Sequence, residues 1–166
     1  MANTFAALAT VTVGSGGAAN IDFTSIPGIY TDLCLKVSSR VSSTDTPISV
    51  QFNGSSANFS WRRIYGSGTT ATSQSGTDSY WLYTDTSAQT ASTFGSGEIY
   101  IPNYAGSTYK SVSSESLTEN NATFAEAFIV AALWSQTAAI TRITLVPLSG
   151  TFVQYSTATL YGIKKD

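Results

Sequence analysis

The chain has no histidine, a single cysteine (Cys34), one methionine, and only 8 Lys+Arg against 10 Asp+Glu in 166 residues. Without histidine it can build neither a Ser-His-Asp triad nor a Cys-His dyad. With one cysteine it can form no internal disulfide and no Cys/His zinc site. Charged residues make up 11% of the sequence, against about 25% in average soluble proteins. A net charge of -2 and a pI near 4.9 leave no cluster of Lys and Arg to neutralise a phosphate backbone, so nucleic acid is not an expected partner. Long apolar runs are also missing. The longest, Ala127 to Trp134, falls far short of the roughly 20 residues that span a bilayer, and Met1 to Thr10 lacks a basic leader, so neither membrane nor secretion is expected.

What replaces the charge is hydroxyl. The chain holds 25 Ser, 24 Thr and 13 Gly, the residues of turns and of solvent-facing strand positions. The 20 aromatic residues and 42% hydrophobic content argue against disorder. At this length one domain over residues 1–166 can bury a core without staples. Asn53-Gly-Ser55, Asn58-Phe-Ser60 and Asn121-Ala-Thr123 match the glycosylation pattern, but sequence this rich in Ser and Thr produces such matches by chance.

Alternation and turn dipeptides divide the chain into nine to eleven short strands. Residues 1–17 read as an N-terminal arm or first strand, with the apolar run Phe5 to Val13 closed by Gly14-Ser-Gly-Gly17. Pro27-Gly28 signals a type II turn. Leu33, Leu35 and Val37 share one strand face, opposite Asp32, Cys34 and Lys36. Ile48, Val50 and Phe52 repeat the pattern up to Asn53-Gly54, the strongest hairpin dipeptide. Gly66 to Gly76 has almost no apolar residue and reads as a long loop. Tyr109 to Leu117 reads as a polar strand at a sheet edge. The stretch 124–134 is ambiguous. Thr123-Phe-Ala-Glu126 fits a helix capping box, whereas Phe124, Phe128, Val130 and Trp134 share strand parity opposite Ile129 and Leu133. The strand reading, buried on both faces, is preferred. No βαβ spacing occurs, so the expected fold is all-β, an antiparallel two-sheet sandwich of jelly-roll type.

Carboxylates are the only acid/base groups left. Asp78, Asp85, Glu98, Glu115, Glu119 and Glu126 have no spacing that forces two of them to converge as glycoside hydrolysis requires. Solvated surface carboxylates are the simpler reading, and no catalytic, cofactor-binding or metal-ligating residue is assigned. If a glycosidase activity existed, Glu98 or Asp85 would be the residues to test. Cys34, in mid-strand with nothing to activate it, reads as a structural thiol. The aromatics are the more promising feature. Trp134 sits in the most apolar segment and reads as core. Trp61-Arg62-Arg63, where hot-spot residue types meet, together with Tyr80, Trp81 and Tyr109, are the candidate interface residues.

Several stretches taken together resemble a known family. Ile21-Asp-Phe-Thr-Ser-Ile-Pro-Gly-Ile-Tyr-Thr-Asp-Leu33, Ser39-Arg40, Gln51-Phe-Asn-Gly54, Ile101-Pro-Asn-Tyr-Ala-Gly106, Trp134 with Ile140-Thr-Arg-Ile143, and above all Thr157-Ala-Thr-Leu-Tyr-Gly-Ile163 are similar to a β-sandwich domain of tailed-bacteriophage virion proteins. That family includes head decoration or cement proteins and tail-fibre domains. The resemblance implies a structural virion protein, made in the bacterial host cytoplasm and working without catalysis or cofactor. Since the sequence shows neither attachment region nor repetitive shaft, it implies a decoration protein that binds the major capsid protein, by analogy as a homotrimer. The alternative is a tail-fibre or receptor-binding domain that holds a host surface carbohydrate on exposed aromatics.

Overall fold

The structure is a computed structural model and describes residues 4–120 and 125–164. Twelve strands and no helix occur among them: β1 (Phe5–Thr12), β2 (Ile21–Phe23), β3 (Asp32–Ser39), β4 (Pro47–Phe52), β5 (Phe59–Ser67), β6 (Thr70–Gly76), β7 (Tyr80–Tyr83), β8 (Gly95–Pro102), β9 (Lys110–Glu119), β10 (Ala125–Trp134), β11 (Ile143–Pro147) and β12 (Thr157–Ile163). They form two antiparallel sheets packed as a sandwich. The larger has eight strands in the order β1-β12-β3-β8-β9-β10-β5-β6 and the smaller four in the order β2-β11-β4-β7.

The order reveals the expected jelly-roll character. Let β2, β3, β4, β5, β6, β7, β10 and β11 be strands one to eight. The small sheet then runs 1-8-3-6 and the large sheet contains 2-7-4-5, the interleaving of two Greek keys. Two additions widen the large sheet. The hairpin β8-β9 inserts between β3 and β10, and the pair β12-β1 extends the other side of β3.

Local chemistry explains the elements that were anticipated. Asn53 and Gly54 both take positive φ, 52° and 76°. Phe52 and Ser55 exchange backbone hydrogen bonds across them, as a type I′ turn requires, although the strands it joins, β4 and β5, lie in different sheets. The Asn53 side chain then ties this turn to the approach to β11, donating to Ala139 O at 2.8 Å and accepting from Thr141 N at 2.8 Å. In β3, Leu33, Leu35 and Val37 are buried and Lys36 is exposed, as alternation predicts. Cys34 is buried too, flanked in register by Tyr161 and Tyr100, and burial pushes its thiol pKa up. Between the sheets, Phe52, Phe59, Trp81 and Trp134 form an aromatic cluster with ring centroids 5.4–6.4 Å apart. Each such buried side chain contributes about 1.5–3 kcal/mol through burial alone.

Five expectations are corrected. Gly66 to Gly76 is no loop: Gly66-Ser67 end β5 and Thr70–Gly76 is β6, joined by the tight turn Gly68-Thr69, where Gly68 has φ 74°. An edge strand with little buried on either face needs no apolar residues, so its composition mimics a loop. The trace of β6 is also fixed by packing, because a Cβ on Gly76 would lie 2.3 Å from the Trp61 ring. This strand brings the total to twelve. Pro27-Gly28 makes no type II turn. The positive φ of that segment is at Ser25 (55°), while the Pro27 carbonyl is taken by the Tyr104 hydroxyl. Tyr109 to Leu117 does not run along an edge. β9 lies between β8 and β10, paired on both sides, and its inward Ser114, Ser116 and Thr118 are buried. Finally, 125–134 is a strand as preferred, but it is covered on one face only. Phe128, Val130, Ala132 and Trp134 are buried, while Ile129 is 68% exposed. Phe124 lies outside the described residues.

Candidate functional site

Parity along β5 separates the Trp-Arg-Arg cluster. Trp61, Arg63 and Tyr65 point inward, and Arg62 and Ile64 point outward. Trp61 is 7% exposed and donates its indole N–H to Asp78 Oδ1 at 3.1 Å. The Arg63 guanidinium sits within an aromatic cage, 4.8 Å from the Tyr83 ring centroid, 5.0 Å from Trp61, 5.1 Å from Tyr65 and 5.6 Å from Phe128. It also donates to Gln74 Oε1. Burial draws its pKa down, opposed by Tyr65, Glu126 and Asp78. Arg63 is thus a packing element of the inner face, where cation–π contacts offset its desolvation. Trp81 is fully buried and Tyr80 half-buried on β7. Of the six candidate interface residues, Trp61 and Trp81 are buried in the core. Arg62 and Tyr109 are exposed.

The outer face of the large sheet carries the surface that remains. Its register aligns rows of side chains across all eight strands. The central row reads Ser73, Ile64, Ile129, Glu115, Glu98, Lys36, Thr159 and Thr10 from β6 to β1. One row away lie Ser75, Arg62, Ala131, Ser113, Tyr100, Cys34, Tyr161 and Ala7. On the other side, Leu117 opposes Ala127. Ile64 is 63% exposed and Leu117 50%, so with Ile129, Ala127 and Ala131 they make a contiguous apolar patch on β9, β10 and β5. Arg62, Ile64, Ser73, Ser75, Ile129 and Ala131 line an open depression of about 420 Å³ within it. Exposed apolar patches of this kind mark interaction surfaces.

Charge on this face is sparse and unevenly satisfied. Glu98 forms an ion pair with Lys36. Glu115 stands directly opposite Glu98 and has no cationic partner among the described residues. Among the described residues, Arg62 has only the hydrogen bond from Nη1 to its neighbour Trp61 O, at 3.0 Å. Among the described residues the remaining carboxylates form no cluster of three. Asp78 caps Trp61 and Tyr80 N. Asp85 is fully buried, with no donor in hydrogen-bond geometry at either oxygen among the described residues. Burial pushes its pKa up, opposed by Thr93 and Arg40. No group of three or more Cys, Asp or Glu side chains that could hold a metal occurs among the described residues.

Glu115 is exposed, as the reading of it as a surface carboxylate expects, whereas Ile129 was missed as a surface residue for one reason. In β10 an apolar residue on each parity looks like a strand buried twice, and only the sheet order shows that nothing covers the second face. A scan against family models and searches of curated proteins and of solved structures found no match to the chain.

Proposed function

We propose that the chain is a structural component of a tailed-bacteriophage particle, a capsid decoration or cement protein that adheres to the major capsid protein and stabilises the head shell. The observation that carries the reading is the broad outer face of the eight-stranded sheet: hydroxyl-rich, sparsely charged, and apolar at Ile64, Ile129 and Leu117. Such a surface adheres by burying apolar area and hydrogen-bonding through Ser and Thr, which fits a protein whose activity is contact. The sequence resemblance supplies the setting, a virion assembled in the host cytoplasm, and the homotrimeric use. Multivalency within a trimer would multiply weak single contacts.

A second reading is favoured by the exposed rings of Tyr109 and Tyr155, 58% and 69% accessible. Such rings can stack on sugars, as a tail-fibre or receptor-binding domain would on a host glycan. Copy number separates the two. Quantitative mass spectrometry of purified particles should find hundreds of copies for a head protein. A handful of copies, with glycan binding by the isolated chain, would support the tail reading instead.

A further inference from the structure

Between β7 and β8 the chain makes a connection that one arginine ties down, and at its root lies the buried acid Asp85. We propose that residues 86–94 form a strap under proton control: it is closed while Asp85 is neutral, and it is released when Asp85 ionises and draws the Arg40 guanidinium away from it. The inference is independent of what the outer face of the large sheet binds.

Three observations carry it. First, the strap is held by polar contacts, since none of residues 87–94 is buried. Arg40 anchors it, with Nη1 donating to Thr90 O at 2.8 Å, Thr93 O at 3.0 Å and Thr93 Oγ1 at 3.1 Å, and Nη2 donating to Gln89 O at 3.0 Å. Ser87 adds bonds from its amide and hydroxyl to Ser43 O. A segment with few buried contacts belongs to the low end of local stability. Second, the strap starts and ends beside Asp85. The Asp85 carbonyl accepts from Val41 N at 2.9 Å, its backbone bridges that of Arg40, and a Cβ on Gly95 would lie 2.9 Å from the Asp85 amide nitrogen. Neither carboxyl oxygen meets a donor among the described residues. The Thr93 hydroxyl beside it gives its proton to Thr90 O at 2.8 Å instead. Third, the charges that face Asp85 are Arg40, which attracts it, and Glu119 at the end of β9, which repels it. Arg40 makes no ion pair in the closed strap. An ionised carboxylate binds a guanidinium more strongly than neutral carbonyls do, and left unpaired in the interior it is costly. Ionisation therefore moves Arg40 from the strap to Asp85. Burial holds the Asp85 pKa above the ordinary carboxylate value, so closure is complete below the unfolded pKa and is lost as pH rises through the folded one.

Amide hydrogen exchange of the full chain, followed from about pH 4 to about pH 8 and corrected for the intrinsic pH dependence of exchange, tests this. In the wild type the amides of 86–94 should lose protection by about tenfold or more as pH rises, the worth of at least one hydrogen bond to a charged group, while those of β3 and β8 keep theirs. Asp85→Asn, close in shape and unable to ionise, should hold the strap closed over the whole range. Glu119→Gln should keep the transition and move it to lower pH, because a repelling charge is gone. A chemical-shift titration of the wild type needs no variant: the Asp85 carboxyl carbon and the strap amides should shift with one midpoint. Protection independent of pH, a loss shared equally by β3 and β8, or an unchanged transition in Asp85→Asn overturns the proposal. So does a carboxyl carbon that titrates without the strap amides.

Discussion

The two faces of β5 hold the same residue types with opposite consequences. Inward, Trp61 and Arg63 are locked together, the indole bonded to Asp78 and the guanidinium caged by four rings. Outward, Arg62 and Ile64 meet solvent, one without an ion-pair partner and the other without a packing partner above it among the described residues. One residue of offset decides which arginine supports the fold and which is available for binding. The lesson is that residue type proposes a hot spot, while strand parity and sheet order decide whether it can be reached.

The sharpest way to break this contrast is to remove an inner aromatic. Trp81→Ala should cost about 3–5 kcal/mol, and Trp61→Ala a similar amount, in denaturant melts. A loss below about 1 kcal/mol at Trp61 would return it to the surface. Next come the paired arginines. Arg63→Ala should destabilise by about 2 kcal/mol through lost cation–π contacts, whereas Arg62→Ala should stay within about 0.5 kcal/mol.

Buried Asp85 gives a pH-dependent version of the same test. Its pKa is raised in the folded state by burial, so the carboxyl favours folding while protonated. That contribution is complete below the unfolded pKa and is lost as pH rises through the folded one. Asp85→Asn should therefore leave the melting temperature unchanged in acid. Near neutrality it should stabilise by about 1 kcal/mol, the cost of an unsatisfied buried polar group. A variant less stable than wild type at pH 7 would mean the carboxylate is compensated. The smallest effect on stability is expected outside, where Ile64→Ala should change the melt by no more than about 0.5 kcal/mol while reducing adhesion.

Much of the fold was legible because it rests on local signals. Asn53-Gly54 determined a tight turn, and the alternation of Leu33, Leu35 and Val37 determined a buried face. What stayed hidden depends on neighbours that the sequence does not specify. Polar β6 owes its strand state to pairing with β5 and to the Trp61 ring lying over Gly76. Polar β9 looks like an edge because its inward Ser114, Ser116 and Thr118 are buried hydroxyls, a choice alternation cannot anticipate. Pro27-Gly28 carries turn chemistry, but the tertiary bond from Tyr104 prevails. The candidate surface was half-legible. Arg62 was named, whereas Ile129 was assigned to the interior because its strand neighbours Phe128 and Val130 belong there.

The central claim is that the outer face around Ile129 is where this protein acts. Its most direct test is the occupancy of Ile129→Asp on purified particles beside wild type, counted by mass spectrometry, with folding confirmed by an unchanged melt. The account predicts many wild-type copies per head and a near-complete loss for the variant. Full occupancy by the variant would contradict it.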